Sequence, residues 1–115
     1  MPSPDCTTGT KSNDQVEAEA IRTVFGARGA AMPVNSSKSM LGHSLGAGGA
    51  LELVACVQSM RHNFVHPTIN CDEPDPDIGL DYVPNRGRNH EVRTALSNSF
   101  AFGGNNCVIL LRRPN

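Results

Sequence analysis

The chain has 115 residues, a net charge of -1 and 38% hydrophobic residues, which suits about one small domain with its own core. Its Lys and Arg residues are scattered rather than clustered, so no electrostatic footprint points to nucleic acid or an anionic membrane surface. The longest uncharged apolar run, residues 45–51, resumes after Glu52 only as far as residue 57, and a membrane span needs about 20 residues.

The opening MPSPDCTTGTKSND is polar and turn-rich and reads as irregular. It contains no apolar signal-peptide core, so a cytoplasmic location is expected. Four cysteines (Cys6, Cys56, Cys71 and Cys107) form no C-x-x-C pair, so no metal centre is expected and free thiols are the default. Asp14, with Glu17 three residues later, predicts a capped helix start. Val16, Ala20, Ile21, Val24 and Phe25 supply its apolar stripe, and Gly26 and Gly29 end it.

Residues 32–37 read as a short strand. Residues 41–60 read as a second helix, rich in Gly and Ala and apolar nearly all round, hence buried. Each of its glycines costs roughly 1 kcal/mol relative to Ala, which implies a close approach by another helix or a ligand. Residues 67–70 read as extended. CDEPDPDIG, residues 71–79, is a loop because its prolines break any helix. Its acidic residues Asp72, Glu73, Asp75 and Asp77 lack the glycine and terminal glutamate of an EF-hand, so a solvated loop is expected. Residues 80–83 form a further short strand. Residues 93–99 and 106–112 predict a closing strand pair, the second buried through Val-Ile-Leu-Leu. SFAFGGNN between them reads as a tight turn. Together these elements imply an α/β layer.

GHSLG, residues 42–46, matches G-x-S-x-G, the nucleophile elbow of serine hydrolases. That elbow needs a buried strand running into the serine, and Asn-Ser-Ser-Lys-Ser-Met-Leu is too polar for one. Asp81 and His90 follow in the order of a triad, but they flank a Pro-Asn-Arg-Gly loop and no HGGG motif is present. Ser44 therefore reads as a small helix-start residue. His43, beside it, falls at the first turn of the expected helix, where unpaired N–H groups and the dipole disfavour imidazolium. A neutral ring there can donate an N–H to a developing oxyanion. Lys38 lies five residues upstream, and Glu52 lies nine residues downstream in an apolar helix where an unpaired carboxylate is costly. A Lys38–Glu52 pair that only holds the helix, with His43 capping it, accounts for the same residues. His62, His66 and His90 have no metal-ligand spacing and read as surface or loop residues.

The string SSKSMLGHSLGAGGALE, followed in order by PTIN, LDYVPN and SNSFAFGGNN, closely resembles the C-terminal half of β-ketoacyl-acyl-carrier-protein synthases. These are the condensing enzymes of fatty-acid and polyketide synthesis. The resemblance runs from about Thr8 to Arg113. It implies the C-terminal half of a thiolase-like fold, with a mixed sheet packed against a buried Gly/Ala-rich helix. It also implies an acyltransferase activity, the decarboxylative condensation of malonyl-acyl-carrier-protein with an acyl thioester. The substrates ride on the phosphopantetheine of acyl carrier protein, and no other cofactor is implied. By the same resemblance His43 is the second of the family's two catalytic histidines, Lys38 the lysine that orients the pair, and Glu52 the buried carboxylate of that network. Thr8 and Thr10 resemble the threonines that touch the pantetheine arm. Phe102, Gly103 and Gly104 resemble the gating loop beside the acyl pocket, and paired glycines next to phenylalanines suit a mobile apolar gate. A hairpin turn with a phenylalanine in the core is the plainer alternative.

The chain departs from the family pattern in two places. Cys6 stands where the first catalytic histidine is expected, which makes residues 1–7 an atypical leader and residues 8–115 the synthase C-terminal domain. None of the four cysteines has the context of the family's acylated cysteine; Cys56 and Cys107 read as inert core thiols. The chain alone is therefore expected to be inactive and to expose apolar surface. The implied partners are acyl carrier protein and the missing N-terminal half or a homologous subunit, with a homodimer in the full-length enzyme. A non-catalytic partner subunit of chain-length-factor type is the alternative reading, and a serine hydrolase using Ser44 the third.

Overall fold

The computed structural model describes residues 11–115. The chain divides into two compact units, one running through Gly42 and adding His66–Arg88, the other combining His43–Val65 with Asn89–Asn115.

The first unit opens with helix α1 (Lys11–Phe25), a 3-10 helix (Gly26–Ala31) and the four-residue helix α2 (Lys38–Leu41). Asp14 is not the cap. It lies in the first turn of α1 and is buried, where the helix dipole favours a carboxylate. The inward face of α1 carries Asp14 and Ala18, with Ile21 half-buried, at the i, i+4, i+7 spacing of one face. Of the expected stripe Ile21 and Phe25 fall on that face, Phe25 at the helix end and 36% exposed; Val16 is 63% and Val24 73% exposed. A stripe chosen on hydrophobicity alone passes over a face built from an aspartate and a small alanine. Gly26, at φ 57, ends the helix as expected. Ala18 packs with Cys71, Ile78 and Tyr82 in the core, and Val34 and Leu80 close around them.

The strands expected at residues 32–37, 67–70 and 80–83 shrink to two isolated parallel bridges, Pro33 with Asp81 and Thr68 with Pro84. The Val34 N–H donates to the Asp81 carbonyl at 2.8 Å and the Thr68 N–H to the Val83 carbonyl at 3.0 Å. Pro33, Pro67 and Pro84 lack an N–H, so neither ladder extends. Val83 is fully buried at φ 51, a conformation that a β-branched residue adopts only under constraint. Its N–H is held by Asp81 Oδ1 at 3.2 Å. Residues 71–79 form the loop expected, tied to α1 by the Arg22 guanidinium, which donates to the Ile78 carbonyl. Cys71 is disulfide-bonded, so the expectation of free thiols holds for Cys56 and Cys107 and fails for Cys71.

The second unit is built on helix α3 (Gly48–His62) and a β-hairpin. Two short strands, β1 (Phe64–Val65) and β2 (Arg88–Asn89), lie where the chain leaves one unit for the other. Strands β3 (Thr94–Ala101) and β4 (Asn105–Arg112) pair antiparallel, from Thr94 opposite Arg112 to Ala101 opposite Asn105. Phe102, Gly103 and Gly104 make the turn, and the two glycines take the positive φ values, 83 and 79, that it requires. Helix α3 packs on β3. Asn63 ends the helix in the left-handed conformation, φ 49 and ψ 48. Its carbonyl accepts from the His90 N–H at 2.9 Å. Its Oδ1 accepts from the Val92 N–H at 3.3 Å and from Arg113 Nη2 at 3.2 Å. One residue thus joins the end of α3 to both outer ends of the hairpin.

Two expectations fail here. Residues 41–60 are not one helix: α2 stops at Leu41, a 3-10 turn covers Leu45–Ala47, and α3 starts only at Gly48. Four glycines within residues 42–49 weaken helix propensity enough to break the run. Nor are α3 and β4 buried. Val54 is 57% exposed, Leu110 65%, and Met60 is the buried residue of the helix. Packing on β3 covers one side of α3 and leaves the remaining apolar sides open. Neither Gly46 nor Gly48 would bring an added Cβ within 4 Å of a neighbour, so no close approach among the described residues accounts for these glycines. The α/β class holds, with small two-stranded sheets, β3–β4 antiparallel, and two parallel bridges among the described residues. Among the described residues no helix is long and apolar enough to cross a membrane.

Candidate functional site

His43 does not occupy the first turn of a helix, because α3 begins five residues later. It lies exposed in the turn that joins α2 to the 3-10 helix. What orients its ring is the backbone: the Leu45 N–H donates to His43 Nδ1 at 3.3 Å. Ser44, at φ -86 and ψ 18, turns the Leu45 amide back over His43, and Leu45 itself then takes a left-handed backbone, φ 47. Since Nδ1 accepts, the proton of the neutral ring sits on Nε2. The arrangement yields a fixed tautomer with an N–H donor at the exposed end of the ring. Helix-dipole control of the ring's charge, expected from sequence, is replaced by control of its tautomer.

Ser44 is half-buried, and its carbonyl accepts the Ala47 N–H at 3.0 Å. Helix α2, not a strand, precedes the GHSLG turn, so the strand-to-helix geometry of a nucleophile elbow is missing. The Asp81 carboxylate is held by Arg88 and the Val83 N–H, and Asp81 and His90 belong to different units.

Glu52 and Cys56 stand four residues apart on α3, both half-buried, and so share a face. Burial pushes the Cys56 thiol above its ordinary range, and the Glu52 charge adds to the shift. Glu52 is thus a partly shielded carboxylate rather than the fully buried one expected. Cys107, expected in a buried strand, is exposed. Phe102 is 96% exposed at the tip of the hairpin and Phe100 47% exposed on β3, which disposes of a phenylalanine in the core. His43, Glu52 and the Phe102–Gly103–Gly104 turn all belong to the second unit, and Lys38 to the first.

Lys38 is half-buried on α2, and the segment around it is stitched to residues 66–69. Ser36 N–H donates to Thr68 Oγ1 at 3.1 Å, and Ile69 N–H to Ser39 Oγ at 3.0 Å. His66, expected at the surface or in a loop, does lie in an irregular segment, but it is half-buried and hydrogen-bonded at both ring nitrogens. The signal in the sequence was the run Asn-Ser-Ser-Lys-Ser, with short side chains that must find partners beyond their own neighbourhood. Thr8, Thr10 and Cys6 lie outside the described residues. No group of three His, Cys, Asp or Glu suited to a metal ion occurs among the described residues.

Residues 5–72 match the family described as Beta-ketoacyl synthase, C-terminal domain. Nodulation protein E of Rhizobium sp. (strain N33) is 51% identical over 106 residues, 92% of this chain and 26% of that protein. 3-oxoacyl-acyl-carrier-protein synthase 2 of Coxiella burnetii is 47% identical over the same length, again 26% of the relative. One similar solved structure is described as a type II polyketide synthase acyl-carrier protein in complex with its ketosynthase bound to the hexaketide. It matches at TM-score 0.89 and 42% identity, covering 100% of this chain and 29% of that one. The ishigamide ketosynthase/chain length factor matches at TM-score 0.86 and 48% identity, over 94% of this chain and 26% of that one. The chain therefore spans 26% of the length of either curated relative.

Proposed function

The chain belongs to the β-ketoacyl synthase family, whose C-terminal domain it carries in the α/β form of thiolase-like ketosynthases, and from this we propose that it supplies the enolate-stabilising part of a condensing site. Residues 8–115 are that domain. The reaction is the decarboxylative condensation of malonyl-acyl-carrier-protein with an acyl thioester. When the malonyl carboxylate leaves as carbon dioxide, its electron pair moves to the α-carbon and into the thioester carbonyl. His43 Nε2–H donates to that oxygen, a contact worth about 3 kcal/mol in a preorganised site. The Leu45–His43 hydrogen bond carries the proposal, because it leaves the ring proton on the nitrogen that must donate.

Lys38 and Glu52 are the cation and carboxylate of the same network, Thr8 and Thr10 contact the pantetheine arm, and Phe102 with Gly103 and Gly104 gates the acyl pocket. These roles rest on the family resemblance. The acyl-accepting sulfur and first histidine come from a polypeptide segment outside these 115 residues, from the same protein or a homologous subunit. Acyl carrier protein delivers the substrates, and the assembled enzyme is a cytoplasmic dimer. Alone, the chain does not condense acyl groups.

A chimera tests this reading. The segment of the Coxiella burnetii synthase that matches residues 8–115 is replaced by those residues, so that the synthase keeps its own first histidine, and condensation is measured with and without His43→Ala. The chimera is expected to condense, and the alanine variant to lose roughly 100- to 1,000-fold in turnover. Equal rates in a folded pair would refute the role of His43. Radiolabelled malonyl transfer by the isolated chain above a His43→Ala control would refute its inactivity. A second reading, a non-catalytic partner of chain-length-factor type, draws on Cys6 standing in the place of the first histidine. A second chimera extended to include residues 1–7, folded but inactive and regaining activity on Cys6→His, would support that reading.

A further inference from the structure

Helix α2 is only four residues long, too short to persist without tertiary support, yet it carries Lys38. We infer that His66 is a positioning residue that fixes the Lys38 segment through a single ring tautomer. This inference rests on the reading of Lys38 as the site's cation. Asn35 donates both protons of its amide nitrogen to His66, one to ring Nδ1 and one to the backbone carbonyl, each at 2.7 Å. Because Nδ1 accepts, the neutral ring carries its proton on Nε2 and donates to Ser37 Oγ at 3.1 Å. Ser37 immediately precedes α2, and its carbonyl accepts the N–H groups of Met40 at 3.1 Å and Leu41 at 3.0 Å. The imidazole therefore bridges Asn35 to Ser37, the residue at the start of α2. Burial holds its pKa below the usual histidine value, so the neutral form is favoured.

The chemistry is specific to a planar group with one acceptor and one donor held apart. Phenylalanine keeps the shape and removes both bonds, while glutamine keeps an acceptor and a donor. The experiment uses the whole chain labelled with ¹⁵N-histidine, and reads the His66 tautomer and backbone amide exchange by NMR. Three results are expected. The neutral His66 ring carries its proton on Nε2. His66→Phe accelerates exchange at Met40, Leu41 and Gly42 roughly tenfold, as expected for two lost hydrogen bonds, with the β3–β4 amides unchanged. His66→Gln returns the α2 amides to within about threefold of the original rates. An Nδ1–H tautomer, unchanged α2 exchange in the phenylalanine variant, acceleration spread equally over β3 and β4, or a glutamine variant that behaves like phenylalanine would each overturn the inference. None of these measurements involves condensation, so a failure of the proposed function in the chimera and a failure of this inference are read separately.

Discussion

The backbone N–H of Leu45, a residue held at left-handed φ 47, donates to Nδ1 of His43 at 3.3 Å, and so leaves the donor proton of the neutral ring on Nε2. A leucine pays for that geometry with strain, because its Cβ crowds the following carbonyl at positive φ. Leu45→Gly keeps the N–H and removes the crowding. It is expected to raise stability by up to about 1 kcal/mol, whereas the β-branched Leu45→Val should lower it by about 1 kcal/mol. Urea unfolding midpoints check both, and a glycine variant less stable than the parent would argue against a left-handed turn in solution.

The thiols report on Glu52. The Cys56 thiol is shifted upward by burial first and by the Glu52 charge second, while Cys107 is exposed. Iodoacetamide should therefore modify Cys107 at least about tenfold faster than Cys56 at neutral pH, where thiolate fraction and access both limit the reaction. Glu52→Gln removes the smaller contribution and should speed Cys56 modification without matching Cys107. Peptide mass spectrometry over a time course decides it. No change at Cys56 would mean that the carboxylate and thiol do not share a face.

Asn63 joins three parts of the second unit. Asn63→Ala gives up two acceptor bonds and places a Cβ without hydrogen-bonding capacity in the left-handed region, for an expected loss of about 2 kcal/mol. Asn63→Gly accepts the backbone conformation and loses only the side-chain bonds, so about 1 kcal/mol is expected. Denaturant titration followed by circular dichroism ranks the two, and an alanine variant as stable as the glycine one would contradict the cap.

Tyr82 gives the chain an alkaline limit. Burial first, then the carboxylates of Asp14 and Glu17, push its pKa up to about 12 from the ordinary 10.0, against the opposing pull of Arg22. The folded state holds the phenolic proton more tightly than the unfolded state. The stabilisation is therefore complete below pH 10 and lost as pH rises from 10 towards 12, amounting to about 2–3 kcal/mol. Tyr82 is the single tyrosine and there is no tryptophan, so tyrosinate absorbance reads it directly. Among the described residues its hydroxyl is buried without a hydrogen-bond partner. Tyr82→Phe should thus be neutral or stabilising by about 1 kcal/mol at neutral pH and should remove this alkaline loss. Titration near 10 would show the ring to be exposed.

The β3–β4 hairpin was legible within two residues at each boundary, and the loop at residues 71–79 fully so, because turn glycines and paired prolines act on their own few dihedrals. The residue reading reached His43 through an expected helix start. The expected helix dipole is absent, and an amide two residues away orients the ring instead. His66 reads in sequence only as a surface or loop residue because its partners, Asn35 and Ser37, lie 31 and 29 residues away. The missing strands at residues 32–37 and 80–83 followed from prolines whose lost N–H groups matter only once a pairing partner is known.

By itself the sequence determined what each short stretch can do: where it turns, where it can be helical, and which family its motifs resemble. Only the tertiary structure decided which of those surfaces are covered. The open sides of α3 and β4, the aspartate on the inner face of α1 and the bridged imidazole of His66 all depend on contacts between distant segments. Side-chain type sets the free energy that burial would release, whereas the packing partner sets whether burial occurs.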